Sequence, residues 1–293
     1  MAMRSADRTG GAVAEWLIHG HLWLALAVAA QVLYTGLFLH PDTPVTRYAF
    51  AASLGAFAAY GMIRLARSKS ASEKEHGTLG WFRVHWNLMS ALVTVAGIVA
   101  VLLLWPLRQD VWHWLVPVLA IALLYVTPFS TQKGAAFGLR SIPFLKVLLI
   151  ATNWAVVTVA VPWCLGPQQH DLFSVIAIAC MRVPLFLGLA ILFDIRDLGT
   201  DAPGLRTVPI IFGVNGARAI AVLLLLFSAT FELIFLRGLG YSVASYTILA
   251  GYAVAILLAL RATPGDKRLS FDLLVDGMMI LIPLCAWLGM KLA

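Results

Sequence analysis

Charge is scarce in this chain. Of its 293 residues only 12% are Asp, Glu, Lys or Arg, while 61% are hydrophobic. A soluble domain carries about 25% charged residues, and a mean hydropathy of +0.89 lies far from that class. A water-soluble globular domain is therefore excluded. Cysteine is scarce as well. Cys164, Cys180 and Cys285 lie in or at the ends of apolar segments without paired spacing. They read as small buried residues and exclude a disulfide framework or a cysteine-built metal site. No low-complexity tract or linker interrupts the chain, so residues 1–293 read as a single membrane domain behind a flexible leader over 1–15.

What the sequence has instead is a series of apolar stretches near the length that crosses a bilayer. They fall near 16–39, 45–66, 86–107, 111–128, 142–165, 172–193, 216–236, 242–262 and 271–291. The expected fold class is all-α, a multi-pass membrane helical bundle of about nine transmembrane helices. The first stretch is long, follows a charged leader and lacks a small-residue cleavage site, so it reads as a span and not as a removable signal peptide.

The net charge of +7 follows the same topology. If nine spans alternate, one face receives sixteen Lys and Arg residues and the other receives Arg47, Arg108, Arg237 and Lys291, with Arg182 left inside a helix. That is a strong positive-inside bias. It predicts a cell-membrane protein with its N-terminus cytoplasmic and its C-terminus on the opposite side. The positive charge is used by topology, and nothing else points to a nucleic-acid partner.

On the cytoplasmic side of the sixth span lies Asp194-Ile195-Arg196-Asp197-Leu198-Gly199-Thr200-Asp201. Carboxylates at i, i+3 and i+7 return to nearly one face if the helix continues through them. Gathered at a membrane helix end they repel one another and are costly to desolvate, and a cation relieves both costs. Hard oxygen ligands favour Mg²⁺, which carboxylates commonly hold together with a substrate diphosphate. Solvation of a cytoplasmic loop is the plainer reading of the same residues.

The run Asp194-Ile195-Arg196-Asp197 with Asp201, then Gly204-Leu205-Arg206-Thr207-Val208-Pro209 and Phe212-Gly213, resembles the second aspartate-rich motif of the UbiA superfamily of intramembrane prenyltransferases. Tyr125-Val126-Thr127-Pro128 with Lys133 is similar to that family's Tyr-Pro-rich loop and its basic residue. The resemblance implies a helical bundle around a central cavity, capped on the cytoplasmic side over a Mg²⁺-diphosphate site. There an allylic prenyl diphosphate ionises and the prenyl group passes to a lipophilic acceptor. By that resemblance Asp194 and Asp197 are the catalytic pair, and with Asp201 they hold the metal. Lys133, Arg140, Arg64, Arg67, Tyr125 and Arg206 are the candidates for contact with the diphosphate.

One departure stands beside the match. Where the family carries a first acidic motif at the end of the second span, this chain reads Arg64-Leu65-Ala66-Arg67-Ser68-Lys69, without a carboxylate. Either these cations meet phosphate directly, or the chain has become a non-catalytic or transport-like lipid-binding protein. No internal symmetry favours a transporter.

Other polar positions carry two readings each. Arg182 at its depth has either a buried partner or function, or snorkels to the far face. Lys146, early in the fifth span, could snorkel to the interface. Arg196 lies out of phase with its flanking acids and is expected to face headgroups or a loop. Asp272 and Asp276, four residues apart, form a small acidic face or suit the positive end of a helix.

Overall fold

The computed structural model describes residues 13–39, 45–69, 77–107, 109–126, 130–132, 135–137, 144–166, 172–199 and 206–292. Among these the architecture is helical throughout, apart from a short antiparallel ribbon of β1 (Ser130–Gln132) and β2 (Ala135–Phe137) in which Ser130 faces Phe137.

The expected first span is two helices. α1 (Val13–His19) and α2 (Leu22–Leu39) meet at a bend of 63°. The chain turns at Gly20-His21, where His21 takes a positive φ of 59°, so the apolar stretch is continuous in sequence and broken in space. The leader expected over 1–15 accordingly gives way to helix at Val13, and residues 1–12 lie outside the described residues. α3 (Thr46–Ser68), the short α4 (Thr78–Val84) and α5 (Trp86–Leu104) follow. α6 (Gln109–Val126) carries Pro117 inside it.

The next span is composite: α7 (Leu145–Ala155), a widened π turn (Val156–Ala160) and α8 (Val161–Leu165). Pro162 removes an N–H that the preceding turn would use. Tyr48 from α3 donates instead to the Val157 carbonyl at 2.8 Å, and the Thr158 hydroxyl donates to the Trp154 carbonyl at 2.7 Å. Such borrowed partners are what lets a proline-bearing helix persist in lipid.

α9 (Leu172–Arg196), α10 (Val208–Gly238), α11 (Ser242–Arg261) and α12 (Arg268–Leu292) complete the bundle. Among the described residues seven helices are long and apolar enough to cross a membrane, or eight if the bent α1–α2 pair counts as one span. The expectation of nine holds approximately. The remaining expected span corresponds to α6.

The main core joins α2 and α7 to α9–α12 through Leu185, Leu192, Leu225, Ile248, Ile282 and their neighbours. A second core packs Phe57 and Leu65 of α3 and Met89 of α5 around Trp81 and Phe82 of α4. Close approaches use small residues, as expected where lipid supplies no hydrophobic drive between helices. Gly251 lies against Ile282, and Gly289 against Ala244.

Cross-helix bonds fix which ends share a face. Lys146 at the start of α7 meets the end of α9, and Arg196 there meets the start of α12. Arg218 near the start of α10 donates to Ala262 at the end of α11, and Trp23 at the start of α2 donates to Leu273. The candidate acidic end therefore lies on one face with the starts of α2, α7, α10 and α12.

Candidate functional site

α9 stops being an α-helix at Arg196, and a single 3₁₀ turn, Asp197–Gly199, follows. Gly199 weakens further helix, as does the Pro203-Gly204 pair. The α-helix thus ends at Arg196, and Asp197 opens the 3₁₀ turn. Asp201 lies outside the described residues.

Asp194 and Asp197 both stand at this end of α9. Asp194 is only 1% exposed, and its Oδ1 lies 2.6 Å from Nζ of Lys146. Asp197, half-buried, takes a two-pronged bond from Arg196, with Nε to Oδ1 at 2.8 Å and Nη2 to Oδ2 at 3.0 Å. The third arm of Arg196 reaches Asp272 on α12, and its carbonyl accepts the Gly265 N–H at 3.0 Å. Phe193 and Phe271 flank the guanidinium at 5.1 and 5.4 Å.

Two expectations change here. Arg196 is buried and does not face headgroups, because its planar fork is consumed by carboxylates on two helices. Lys146 bends onto Asp194 and does not snorkel outward, because a carboxylate removed from water is stable only when paired.

The other predicted residues divide. Arg64 and Arg67 occupy the last turns of α3, whose neighbours are α2, α4 and α5, and Lys69 beyond them lies 4.8 Å over the Trp86 ring. Arg206 is exposed just before α10. Tyr125 falls in α6, but its side chain lies outside the described residues, as do Lys133 and Arg140 entirely.

Mg²⁺ is usually held by one or two carboxylates, with water and substrate phosphates completing its shell. Asp194 and Asp197 supply such oxygens, and each is held by a cation of the chain's own, an ammonium and a guanidinium standing in for a metal's charge. The donor set fits a metal shared with a diphosphate. It does not fit an all-protein cage, because among the described residues no three His, Cys, Asp or Glu side chains gather to hold an ion.

A second polar cluster lies about 18 Å further along α9, twelve residues at 1.5 Å each. Arg182 is 3% exposed, so it does not snorkel. Its Nε meets Glu232 Oε1 at 2.8 Å, and its Nη1 donates to Gln31 Oε1 at 2.5 Å. Its guanidinium stacks 4.3 Å over Tyr34, whose hydroxyl donates to Glu232 at 3.1 Å. Gln31 in turn donates to the Met279 carbonyl at 2.8 Å. Arg182 and Glu232 line a narrow cavity with Tyr34, Thr35, Phe38 and Phe235. Sequence reasoning weighed Arg182 and passed over Glu232. The signal was present, since Glu232 is the lone carboxylate in the apolar run 216–236.

No protein-family model matches the chain, and no curated protein does. Solved structures do. A UbiA homologue from Aeropyrum pernix K1, in its apo form, superposes with a TM-score of 0.63 at 16% identity, covering 93% of this chain and 97% of that one. A UbiA homologue from Archaeoglobus fulgidus bound to DMAPP and Mg²⁺ gives 0.54 at 11% identity, covering 95% and 99%. The same homologue bound to GPP and Mg²⁺ gives 0.56 at 12%, with the same coverage. The fold is that of the UbiA homologues. At 11–16% identity the chain is a divergent example of it. The likeness extends over nearly the full length of both chains.

Proposed function

We propose that this chain is a membrane-bound transferase that moves a prenyl group from an allylic prenyl diphosphate to a lipophilic acceptor. The observation that carries the reading is Asp194. It is a carboxylate withdrawn from water at the end of a membrane helix, with Asp197 one turn on, in a fold whose solved examples include one bound to DMAPP or GPP with Mg²⁺. A buried acid at that place is costly and calls for a cation.

In this reading Asp194 and Asp197 hold Mg²⁺, joined by Asp201 from the segment that follows. When bound, the metal supplies charge neutralisation for the departing diphosphate. The chain's own cations do the remaining work. Arg64, Arg67, Lys133, Arg140 and Arg206, with Tyr125, bind and orient the diphosphate oxygens, and donors aimed at the oxygens that gain charge lower the barrier to ionisation. The apolar bundle excludes water, so the allylic cation meets an acceptor before it meets a hydroxyl.

The test incubates purified protein and Mg²⁺ with labelled prenyl diphosphates and a membrane extract, followed by identification of labelled lipophilic products. A product that disappears in Asp194→Asn and Asp197→Asn is the expected result. Diphosphate binding without any product across the panel would instead favour a lipid-binding protein that has lost the chemistry, a reading in line with the cations at the end of α3.

A further inference from the structure

Among the described residues Arg196 and Lys146 are the cations bonded at the acidic end of α9, and they are held differently. Arg196 is fastened by Asp197, Asp272 and two aromatic rings, and its carbonyl is taken by Gly265. Lys146 shares a 2.6 Å bond with Asp194, its side chain remains 21% exposed, and it stands in the first turn of α7 with the whole helix behind it. A guanidinium fork is pre-organised and gives up its partners reluctantly, whereas an ammonium on a four-carbon stem is a mobile point charge. Of the two, the ammonium of Lys146 is the more readily exchanged.

We propose that Lys146 is the resident counter-cation of Asp194 and that a divalent metal binds by displacing it. The inference rests on the reading that Asp194 takes Mg²⁺. It adds that the protein without metal is stabilised by its own lysine, and that ammonium and metal compete for one carboxylate. The physical reason is that Asp194 is almost wholly withdrawn from water, so its charge must be compensated in every state the protein visits. Arg196 cannot serve both acids, since its fork is already shared between Asp197 and Asp272. Lys146 therefore holds the carboxylate before the metal arrives, and once displaced its ammonium is available to the anion that the metal brings.

Thermal unfolding of detergent-purified protein tests this without any turnover. In EDTA, Lys146→Met should unfold on the order of 10 °C below the parent, because one partner of a buried pair is gone. MgCl₂, against NaCl of equal ionic strength, should return most of that loss in the variant while moving the parent little. The double variant Lys146→Met/Asp194→Asn removes the buried carboxylate together with its ammonium, so it should recover stability in EDTA and ignore Mg²⁺. It also keeps the test open if the single variant does not fold. A Lys146→Met protein as stable as the parent in EDTA would overturn the proposal. So would a loss that the double variant repairs and Mg²⁺ does not. Failure of the transferase reading has another signature: Mg²⁺ rescues Lys146→Met, yet no prenyl diphosphate is consumed.

Discussion

A buried ion pair is worth least when both members are present and most when one is removed. Arg182 and Glu232 are each under 5% exposed and lie 2.8 Å apart, with Gln31 and Tyr34 taking the remaining bonds. Removing Arg182 leaves a carboxylate deep in the bundle with only hydroxyl and amide neighbours, so Arg182→Met should cost about 3–5 kcal/mol. The double variant Arg182→Met/Glu232→Leu should lose much less, because no charge is left unpaired. Denaturation of the three proteins in one detergent checks the ordering, and equal losses in the single and double variants would refute it. The same pair shows where the residue scale was legible. The energetic anomaly of an arginine in a span could be read from sequence. Its partner could not, since Glu232 lies fifty positions away and the pairing is decided by how α10 registers on α9. Lys146 on Asp194 and Arg196 on Asp272 escaped for the same reason.

The spans themselves follow from long apolar runs, which need only local counting, and so most of them were readable. What was not readable is where a span bends. α10 begins at Val208, ahead of the expected stretch 216–236, and Gly213 within it takes φ 71° and ψ 169°, a conformation essentially confined to glycine. The bend sets the first turn of α10, after Arg206 and Thr207, at an angle to the rest of the helix. It also brings Phe212 to 6.4 Å from Phe144, two residues before Lys146. A side chain at Gly213 would meet open space, so any penalty there comes from the backbone alone. Gly213→Ala should therefore destabilise by about 1–3 kcal/mol. Gly55→Ala, in the middle of α3 and also facing open space, should be neutral or slightly stabilising. Melting temperatures of the two variants separate a conformational requirement from a general intolerance of added methyl groups. A second element-scale prediction concerns the clamp that ties α9 to α12. Arg196→Lys keeps the charge but loses the fork, and cannot bridge Asp197 and Asp272 while stacked between two phenyl rings. It should lower stability nearly as far as Arg196→Met, and near-parent stability in Arg196→Lys would mean that charge alone suffices.

For the whole molecule, the distribution of Lys and Arg predicts a direction across the membrane. The bundle has two faces. On one lie the acidic end of α9, the basic end of α3 and the α11–α12 turn, which Gly265 and Ala262 tie to α9 and α10. On the other lie the α10–α11 turn at Leu239-Gly240 and the bond from Arg47 to the Leu103 carbonyl. The positive-inside rule predicts that the first face is cytoplasmic, and the proposed diphosphate site belongs on the face where such a substrate is supplied. This yields a prediction independent of any catalytic residue. In a background with Cys164, Cys180 and Cys285 replaced by Ala, a single cysteine at Pro264 samples the first face and one at Leu239 the second, both positions being exposed. A membrane-impermeant maleimide applied to intact cells or spheroplasts should label Leu239→Cys and spare Pro264→Cys, and inside-out vesicles should reverse the pattern. Labelling of Pro264→Cys from outside would turn the bundle over. Asp194, Asp197 and Lys146 would then face away from the cytoplasm, and the proposed diphosphate site would lose its supply of substrate even with its geometry unchanged.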